Sequence, residues 1–163
     1  MNIFIVSPSP VKNALILDDL RLNKMILETA QLLSSAYRSL WADVDGLYKT
    51  THINHPCSIW ARSKKTNFKW LYKYFVELHT EFKFRKNRSN HLSFTKLNGI
   101  FKSKADIVAD DVDIEFNFNC TNYKHLAVFE AYKRQLIDKW ISDIKCPTWT
   151  KRGCPEWTGL NYL

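Results

Sequence analysis

The stretch LRLNKMILETAQLLSSAYR, residues 20–38, places one carboxylate among cations and amides. At steps of three or four, Glu28 falls in register with Arg21, Lys24, Gln31, Ser35 and Arg38. Residues at this spacing share one face of a helix. A carboxylate held in a basic groove that faces DNA could stabilise positive charge at a sugar C1′ and move protons there.

The alternative interpretation of Glu28 is an ordinary surface ion pair with Lys24, one helical turn earlier. Helical pairs of this kind contribute only about 0.3–0.5 kcal/mol. We favour a chemical role because the chain is basic. Position 31 also holds Gln rather than Lys, although a helix face that served only to attract anions would be expected to carry another cation there. The spacing itself fits both interpretations.

Composition favours a globular protein with a polyanionic partner. The chain has 163 residues, 45% of them hydrophobic and 25% charged, which suits one domain over residues 1–163. Its formal net charge is +8. Lys and Arg release counterions when they neutralise phosphates, so we expect a nucleic acid, with duplex DNA that is damaged or modified as the first candidate. Solubility alone would also explain the charge.

Cysteine usage and the N-terminal sequence predict an intracellular, cytoplasmic protein. None of the four cysteines forms a C-x-x-C pair, and the opening MNIFIVSPSP lacks the pattern of a signal peptide. No stretch approaches the roughly 18 apolar residues of a membrane span. We therefore expect reduced cysteines, no membrane partner and a monomer. His52 and His55 are three residues apart without an acid nearby, so we expect no metal and no other cofactor.

Apolar periodicity predicts a mainly α protein, a single compact domain of three long helices. These are expected at 18–41, at 54–88 and at 122–144, with a shorter helix ending near residue 101. Residues 2–6 suit a brief strand or a buried extended arm, and residues 102–120 suit a loop or short strand. His55 could cap the second helix, because Pro56 fits its first position, or it could contact a phosphate. Residues 146–163 form an aromatic tail.

Cations alternate with aromatic residues on the predicted second helix and in the tail. A basic groove with aromatic rings is what phosphate binding and base stacking require. The alternative is a solvated helix face above an aromatic core, and packing is the better default for indole rings because they bury so much surface. The candidate DNA-binding cations are Lys24 and Arg38 on the first helix, Arg62, Lys64, Lys65 and Lys69 on the second, and Lys151 and Arg152 in the tail.

Three short stretches resemble the phage pyrimidine-dimer DNA glycosylases, a family of small all-α proteins. DLRLNKMILETAQ (19–31) is similar to the family's D-x-H-x(6)-E, with Glu28 at the acid. HPCSIW (55–60) resembles its S-P-x-x-I helix start, and CPTWTK (146–151) resembles its R-P-T-W-Y-K. The chain also resembles uncharacterised phage proteins that open with M-N-I-F and contain L-E-T-A-Q-L-L and N-H-P-C-x-x-W. The order of elements is similar over most of the chain.

The resemblance implies a mechanism for base excision. In that family the N-terminal α-amine attacks C1′ of the flipped nucleotide, the base leaves, a Schiff base forms, and β-elimination nicks the strand. Glu28 would take the role of the acid that stabilises the intermediate and handles protons. Arg21 and Gln31 would contact phosphates or the neighbours of the flipped nucleotide. Flipping costs little free energy in a damaged duplex, because its bases unstack easily.

The chain departs from the family pattern at the nucleophile and at two helix positions. The family uses a Thr amine exposed by removal of the initiator Met, whereas the bulky Asn2 predicts that Met1 is retained and supplies the amine. Arg21 and Gln31 replace a His and a basic residue. We therefore expect excision of a damaged or modified pyrimidine, with or without AP-lyase activity. Two other classes stay open, a non-enzymatic DNA- or RNA-binding protein and an enzyme acting on free nucleotides or nucleosides.

Overall fold

A computed structural model of the chain describes residues 1–87, 89–110 and 113–159. No β-strand occurs in these ranges, which confirms the mainly α class. The prediction of three long helices was wrong, because only two of the six helices exceed 20 residues. The elements are α1 (Pro10–Leu15), α2 (Asp19–Leu40), α3 (Pro56–Ser63), α4 (Lys65–Arg85), α5 (Leu92–Ala105), α6 (Val128–Ser142) and a 3₁₀ turn at Glu156–Thr158.

Helices α2 and α4 form the centre of the fold, and α2 packs against α3, α4 and α5. Its start is fixed by Asp18, whose carboxylate accepts the backbone N–H of Arg21 at 3.3 Å. An N-cap of this kind satisfies a helix amide that would otherwise lack a partner. Apolar side chains at steps of three and four, such as Leu22, Ile26 and Leu33, are fully buried. The predicted bounds of 18–41 agree with α2 to within one residue at each end.

The predicted second helix is two helices, α3 and α4. Lys64 between them has an extended backbone, with φ of −143° and ψ of 145°. The side-chain amide of Asn67 donates to the carbonyl of Trp60 at 2.9 Å and to Ser63 Oγ at 3.1 Å. These bonds satisfy the carbonyl end of α3, so the break costs little, while the apolar periodicity continues across it.

The N-terminal residues form a buried extended arm, which is one of the two structures expected for them. Ile3, Phe4 and Ile5 are at most 5% exposed. The Asn13 side chain accepts the amides of Val6 and Ser7 at 2.9 and 3.1 Å, so these amides are paired without a sheet. The arm therefore carries the start of the chain into the core and up to α2.

A buried arginine ties the end of α4 to the start of α2. The guanidinium of Arg85 donates to Glu81, to Asp19 and to the carbonyls of Leu15 and Leu17, at 2.7–3.1 Å. Burial raises the pKa of Glu81, but hydrogen bonds from Arg152 and Arg85 outweigh it, and the net pKa lies below its ordinary value. The cluster is thus a buried, fully paired ionic network.

The tail packs over the helices through its indole rings, as the default interpretation expected. The ring centroids of Trp149 and Trp157 lie 5.2 and 5.8 Å from that of Trp140 on α6. Asp19 accepts the backbone N–H and the hydroxyl of Thr150, which holds the tail against the start of α2. The end of the predicted tail, residues 160–163, lies outside the described residues.

The helix predicted at 122–144 is present as α6, but it begins at Val128, so the predicted start at residue 122 was wrong. Asn119 Oδ1 accepts the N–H of Thr121 at 3.0 Å, and Thr121 Oγ1 accepts that of Tyr123 at 3.0 Å. Such local side-chain bonds compete with helical ones for the same amides. The preceding loop packs on α3, where Trp60 Nε1 donates to the carbonyl of Glu115 at 2.8 Å.

No helix in the described ranges is both long enough and apolar enough to cross a membrane.

Candidate active site

A cleft of about 360 Å³ opens where the start of the chain, α2 and the end of α6 meet. It brings together residues from the two ends of the sequence. Its walls are formed by Met1, Asn2, Phe4, Leu20, Arg21, Lys24, Met25, Glu28, Lys139 and Asp143. Both residues predicted to be catalytic, Met1 and Glu28, therefore line the same cleft.

Glu28 binds the start of the chain. Its Oε2 accepts the backbone N–H of Asn2 at 3.0 Å and lies 3.9 Å from the α-amine of Met1. The Glu28 side chain is 13% exposed, so it reaches the cleft while most of it is shielded from water. Charge interactions are stronger in such a partly dehydrated position than on an open surface. This arrangement can hold an amine next to a group that accepts and returns protons.

Arg21 serves as a clamp between helices. Its guanidinium donates to Asp18 at 3.1 Å and to both carboxylate oxygens of Asp143 at 2.8 and 3.1 Å. The residue is 7% exposed, and its donors are directed at protein carboxylates. Arg21 therefore docks the end of α6 against the start of α2, which places Lys139 and Asp143 in the cleft wall. The structure gives it a positioning contact where the sequence suggested a phosphate contact.

Two lysines flank the cleft. Lys24 Nζ lies 3.6 Å from Glu28 Oε1, and its side chain is 66% exposed. An exposed pair of this kind is weak, so the ammonium can turn to another anion. Lys139 enters the wall from α6 and is half-buried. Gln31, one turn after Glu28 on α2, is also half-buried. The cleft thus joins two carboxylates, of which Asp143 is bound by Arg21, with one α-amine and two further ammonium groups.

The structure separates several of the other predicted cations from the cleft. Arg38 lies near the far end of α2, where it donates to Asp43 at 2.6 Å and to the carbonyl of Tyr48. Lys69 Nζ donates to the carbonyl of Val108 at 2.6 Å. Within the described residues, Arg21 and Lys24 are the predicted DNA-binding residues that line the cleft.

The cations at the junction of α3 and α4 are more accessible. Arg62 donates to the carbonyl of Ile53, and Lys65 lies 5.7 Å above the ring of Trp41. Lys64 and Lys65 are both exposed. They form a basic edge that phosphates could approach without displacing a buried contact.

The two tail cations hold the tail to α4. Lys151 Nζ donates to the carbonyl of Phe84 and to Asn87 Oδ1, each at 2.8 Å. Arg152 donates to both oxygens of Glu81 at 3.0 and 2.9 Å. The hydrogen bonds that Arg152 donates to Glu81 raise the pKa of Arg152. Packing of the tail against α4 therefore explains the positions of both cations.

His55 caps α3, as the sequence suggested, and lies beside two cysteines. Its Nδ1 accepts the backbone N–H of Cys57 at 3.2 Å. Burial lowers the pKa of His55, and the positive charge of the N-terminus lowers it further. Cys57 Sγ is 3.7 Å from Cys120 Sγ. Hydrogen bonding between the two lowers the pKa of Cys120 to about 6 and, together with burial, raises that of Cys57.

Sequence reasoning missed three features of this region. It did not single out Lys139 or Asp143, because helical spacing on α6 gives no sign that this helix meets α2. It also did not connect Cys57 with Cys120, which are 63 residues apart. The signal that could have found Asp143 is charge complementarity, since an arginine near the start of a buried helix needs a carboxylate partner.

Comparison with known proteins identifies the family. The family model described as pyrimidine dimer DNA glycosylase matches residues 1–95, which contain the arm, α2 and Glu28. No curated protein and no solved structure gives a significant match. The matched range covers more than half of the chain and includes Met1 and Glu28, the two groups that meet in the cleft. The chain therefore belongs to the pyrimidine dimer DNA glycosylase family.

Proposed function

We propose that this protein excises a damaged or modified pyrimidine from duplex DNA, with the α-amine of Met1 as nucleophile and Glu28 as the acid–base group. The observation that carries the proposal is the 3.9 Å approach of the Met1 amine to Glu28 Oε2 within a cleft. Family membership supports it, because the family's activity is that of a pyrimidine dimer DNA glycosylase.

The proposed reaction begins with attack of the uncharged amine on C1′. The N–C1′ bond forms as the glycosidic bond breaks, and the base leaves with the bonding electron pair and takes up a proton. After the first amine proton is lost, the sugar ring opens: the C1′–O4′ bond breaks, O4′ takes up a proton to become a hydroxyl, and loss of the second amine proton gives an imine. Glu28 is positioned to accept the proton from the amine and to stabilise the positive charge that develops at C1′.

An AP-lyase step would follow from the same imine. Removal of a proton from C2′ and departure of the 3′ phosphate break the C3′–O bond, which nicks the strand. Glu28 is the available base in the cleft, because Asp143, the other carboxylate there, is bound on both oxygens by Arg21. We propose this lyase activity as the second step of one mechanism.

The cleft also has groups suited to holding DNA. Lys24 and Lys139 can neutralise phosphates on either side of an extruded nucleotide. Leu20 lines the same cleft and is 66% exposed, so it offers an apolar contact for an unstacked base. Lys64 and Lys65 extend the basic surface at the junction of α3 and α4. The proposal therefore assigns Arg21 to positioning and these lysines to phosphate binding.

The test uses three duplexes of one sequence: undamaged, with a single cyclobutane pyrimidine dimer, and with a single abasic site. We expect base loss, revealed by hot alkali, on the dimer duplex, and a nick without alkali on the abasic duplex. Binding to all three should weaken about tenfold or more from low to physiological salt, because several phosphates are contacted.

Salt-sensitive binding without base loss or nicking would contradict the proposal and favour a DNA-binding protein. Turnover of a free nucleoside with no need for a duplex would contradict it in favour of a nucleotide enzyme.

A further inference from the structure

Three side chains with metal-binding chemistry converge next to the start of the chain. One ligand atom from each of His55, Cys57 and Cys120 lies within 4.8 Å of the other two. Cys57 is fully buried in the first turn of α3, and Cys120 belongs to the loop before α6. The glycosylase chemistry proposed above uses none of these side chains.

The spacing of the two sulfurs suits a zinc ion. With Zn–S bonds of about 2.3 Å and tetrahedral angles, two thiolates on one zinc lie about 3.8 Å apart. The observed Sγ–Sγ distance is 3.7 Å. A disulfide would need the sulfurs at about 2.05 Å, so α3 and the loop that carries Cys120 would have to move closer together. A zinc ion can enter between the sulfurs with little change in their separation.

The ligand types point to the same metal. Two thiolates with one imidazole select zinc over magnesium, calcium or manganese, which prefer oxygen ligands. Three protein ligands leave a fourth tetrahedral position for water. The Nδ1 of His55 now accepts the amide N–H of Cys57, so metal binding would exchange this cap for a metal bond.

Hydrogen bonds around the cluster fix its ligands and connect it to the arm. The hydroxyl of Tyr132 accepts the amide N–H of Cys120 at 3.2 Å and donates to Asn2 Oδ1 at 3.0 Å. Cys57 Sγ lies 3.7 Å from the same Asn2 oxygen. Surroundings of this kind orient metal ligands and tune their affinity. The cluster thus joins α3, the loop and the residue that follows Met1.

We propose that His55, Cys57 and Cys120 form a zinc site that holds the loop before α6 against α3 and fixes the N-terminal arm. The zinc site is independent of the glycosylase chemistry and is tested by metal content. Zinc at this point would stabilise the position of Asn2, whose amide bonds Glu28. It would therefore fix the arm at this edge of the cleft.

The test measures binding of Zn²⁺ and Co²⁺ to the full-length, reduced protein. We expect one zinc per chain by elemental analysis, and a Co²⁺ complex with a thiolate charge-transfer band and the intense visible bands of tetrahedral geometry. Zn²⁺ should also raise the thermal midpoint, because it binds the folded state. Cys120→Ser and His55→Asn should each weaken zinc binding at least about a hundredfold, since even indirect partners cost 10–100-fold.

The variants are chosen to keep the fold. Asn is a good N-cap, so His55→Asn retains the helix start while it removes the imidazole. Cys120 is half-buried, whereas replacing the fully buried Cys57 could disturb the core. Cys146→Ser and Cys154→Ser are matched controls, and each should bind zinc as tightly as the unsubstituted protein. Less than stoichiometric zinc, a Co²⁺ spectrum without the thiolate band, unchanged affinity in either ligand variant, or a Cys57–Cys120 disulfide in place of the metal would each overturn the proposal.

Discussion

Glu28→Gln is expected to slow base release from a dimer-containing duplex by about 10²–10⁴-fold, the usual contribution of a positioned acid–base group. Gln keeps the size of the side chain and an oxygen that can accept the amide N–H of Asn2. It loses the charge next to the Met1 amine and the ability to take a proton. Single-turnover kinetics on the dimer duplex measure the effect.

The control for this variant is Glu130→Gln on α6, which removes an exposed carboxylate that pairs with Lys133. Its excision rate should match that of the unsubstituted protein. Duplex affinity of Glu28→Gln should stay within a few-fold, since Lys24 and Lys139 remain. An excision rate within threefold of the unsubstituted protein would remove Glu28 from the chemistry and return it to the role of an ion-pair partner.

Arg85→Ala is expected to lower the free energy of unfolding by about 3–5 kcal/mol, the usual cost of removing one partner from a buried ionic network. Arg85 is 2% exposed and donates to two carboxylates and two carbonyls. Its loss leaves the Leu15 and Leu17 carbonyls without this donor and leaves Asp19 dependent on the tail. At this chain length, the thermal midpoint should fall by about 6–20 °C.

Urea denaturation of Arg85→Ala and of Arg134→Ala measures the difference directly. Arg134 is exposed on α6, so its replacement should change the free energy of unfolding by no more than about 0.5 kcal/mol. If Arg85→Ala lost less than 1 kcal/mol, the network would not be what fixes the start of α2. Arg85→Lys should fall between the two, because a lysine keeps the charge but lacks the planar set of donors.

The sequence predicted best those helix bounds that are set by residues close together in the chain. The apolar repeat located α2 to within one residue at each end, and Pro56 marked the start of α3. The break at Lys64 was missed because the apolar repeat continues through it, while the Asn67 hydrogen bond that stabilises it leaves no periodic signal. Helix α6 starts six residues later than predicted, and the residues before it form a loop in which the side chains of Asn119 and Thr121 bond the amides of Thr121 and Tyr123.

The site was harder to predict because its contacts join distant parts of the chain. The position of Glu28 on a polar helix face was readable, but its approach to Met1 depends on how the arm folds back over 26 residues. Arg21 fits a phosphate-binding pattern by type, yet its partner Asp143 lies 122 residues away. Cations such as Lys151 and Arg152 likewise have protein partners that only the packing of the tail brings within reach.

Borohydride trapping on a duplex with one abasic site tests the proposed mechanism most directly. Borohydride delivers a hydride to an imine and converts it into a stable secondary amine, which peptide mass mapping can locate. We predict one adduct per chain on the α-nitrogen of Met1, retained in Lys139→Arg, which removes the lysine amine that α6 contributes to the cleft. An adduct on Lys139 instead, or no adduct under conditions in which the abasic strand is nicked, would contradict the assignment of Met1 as the nucleophile.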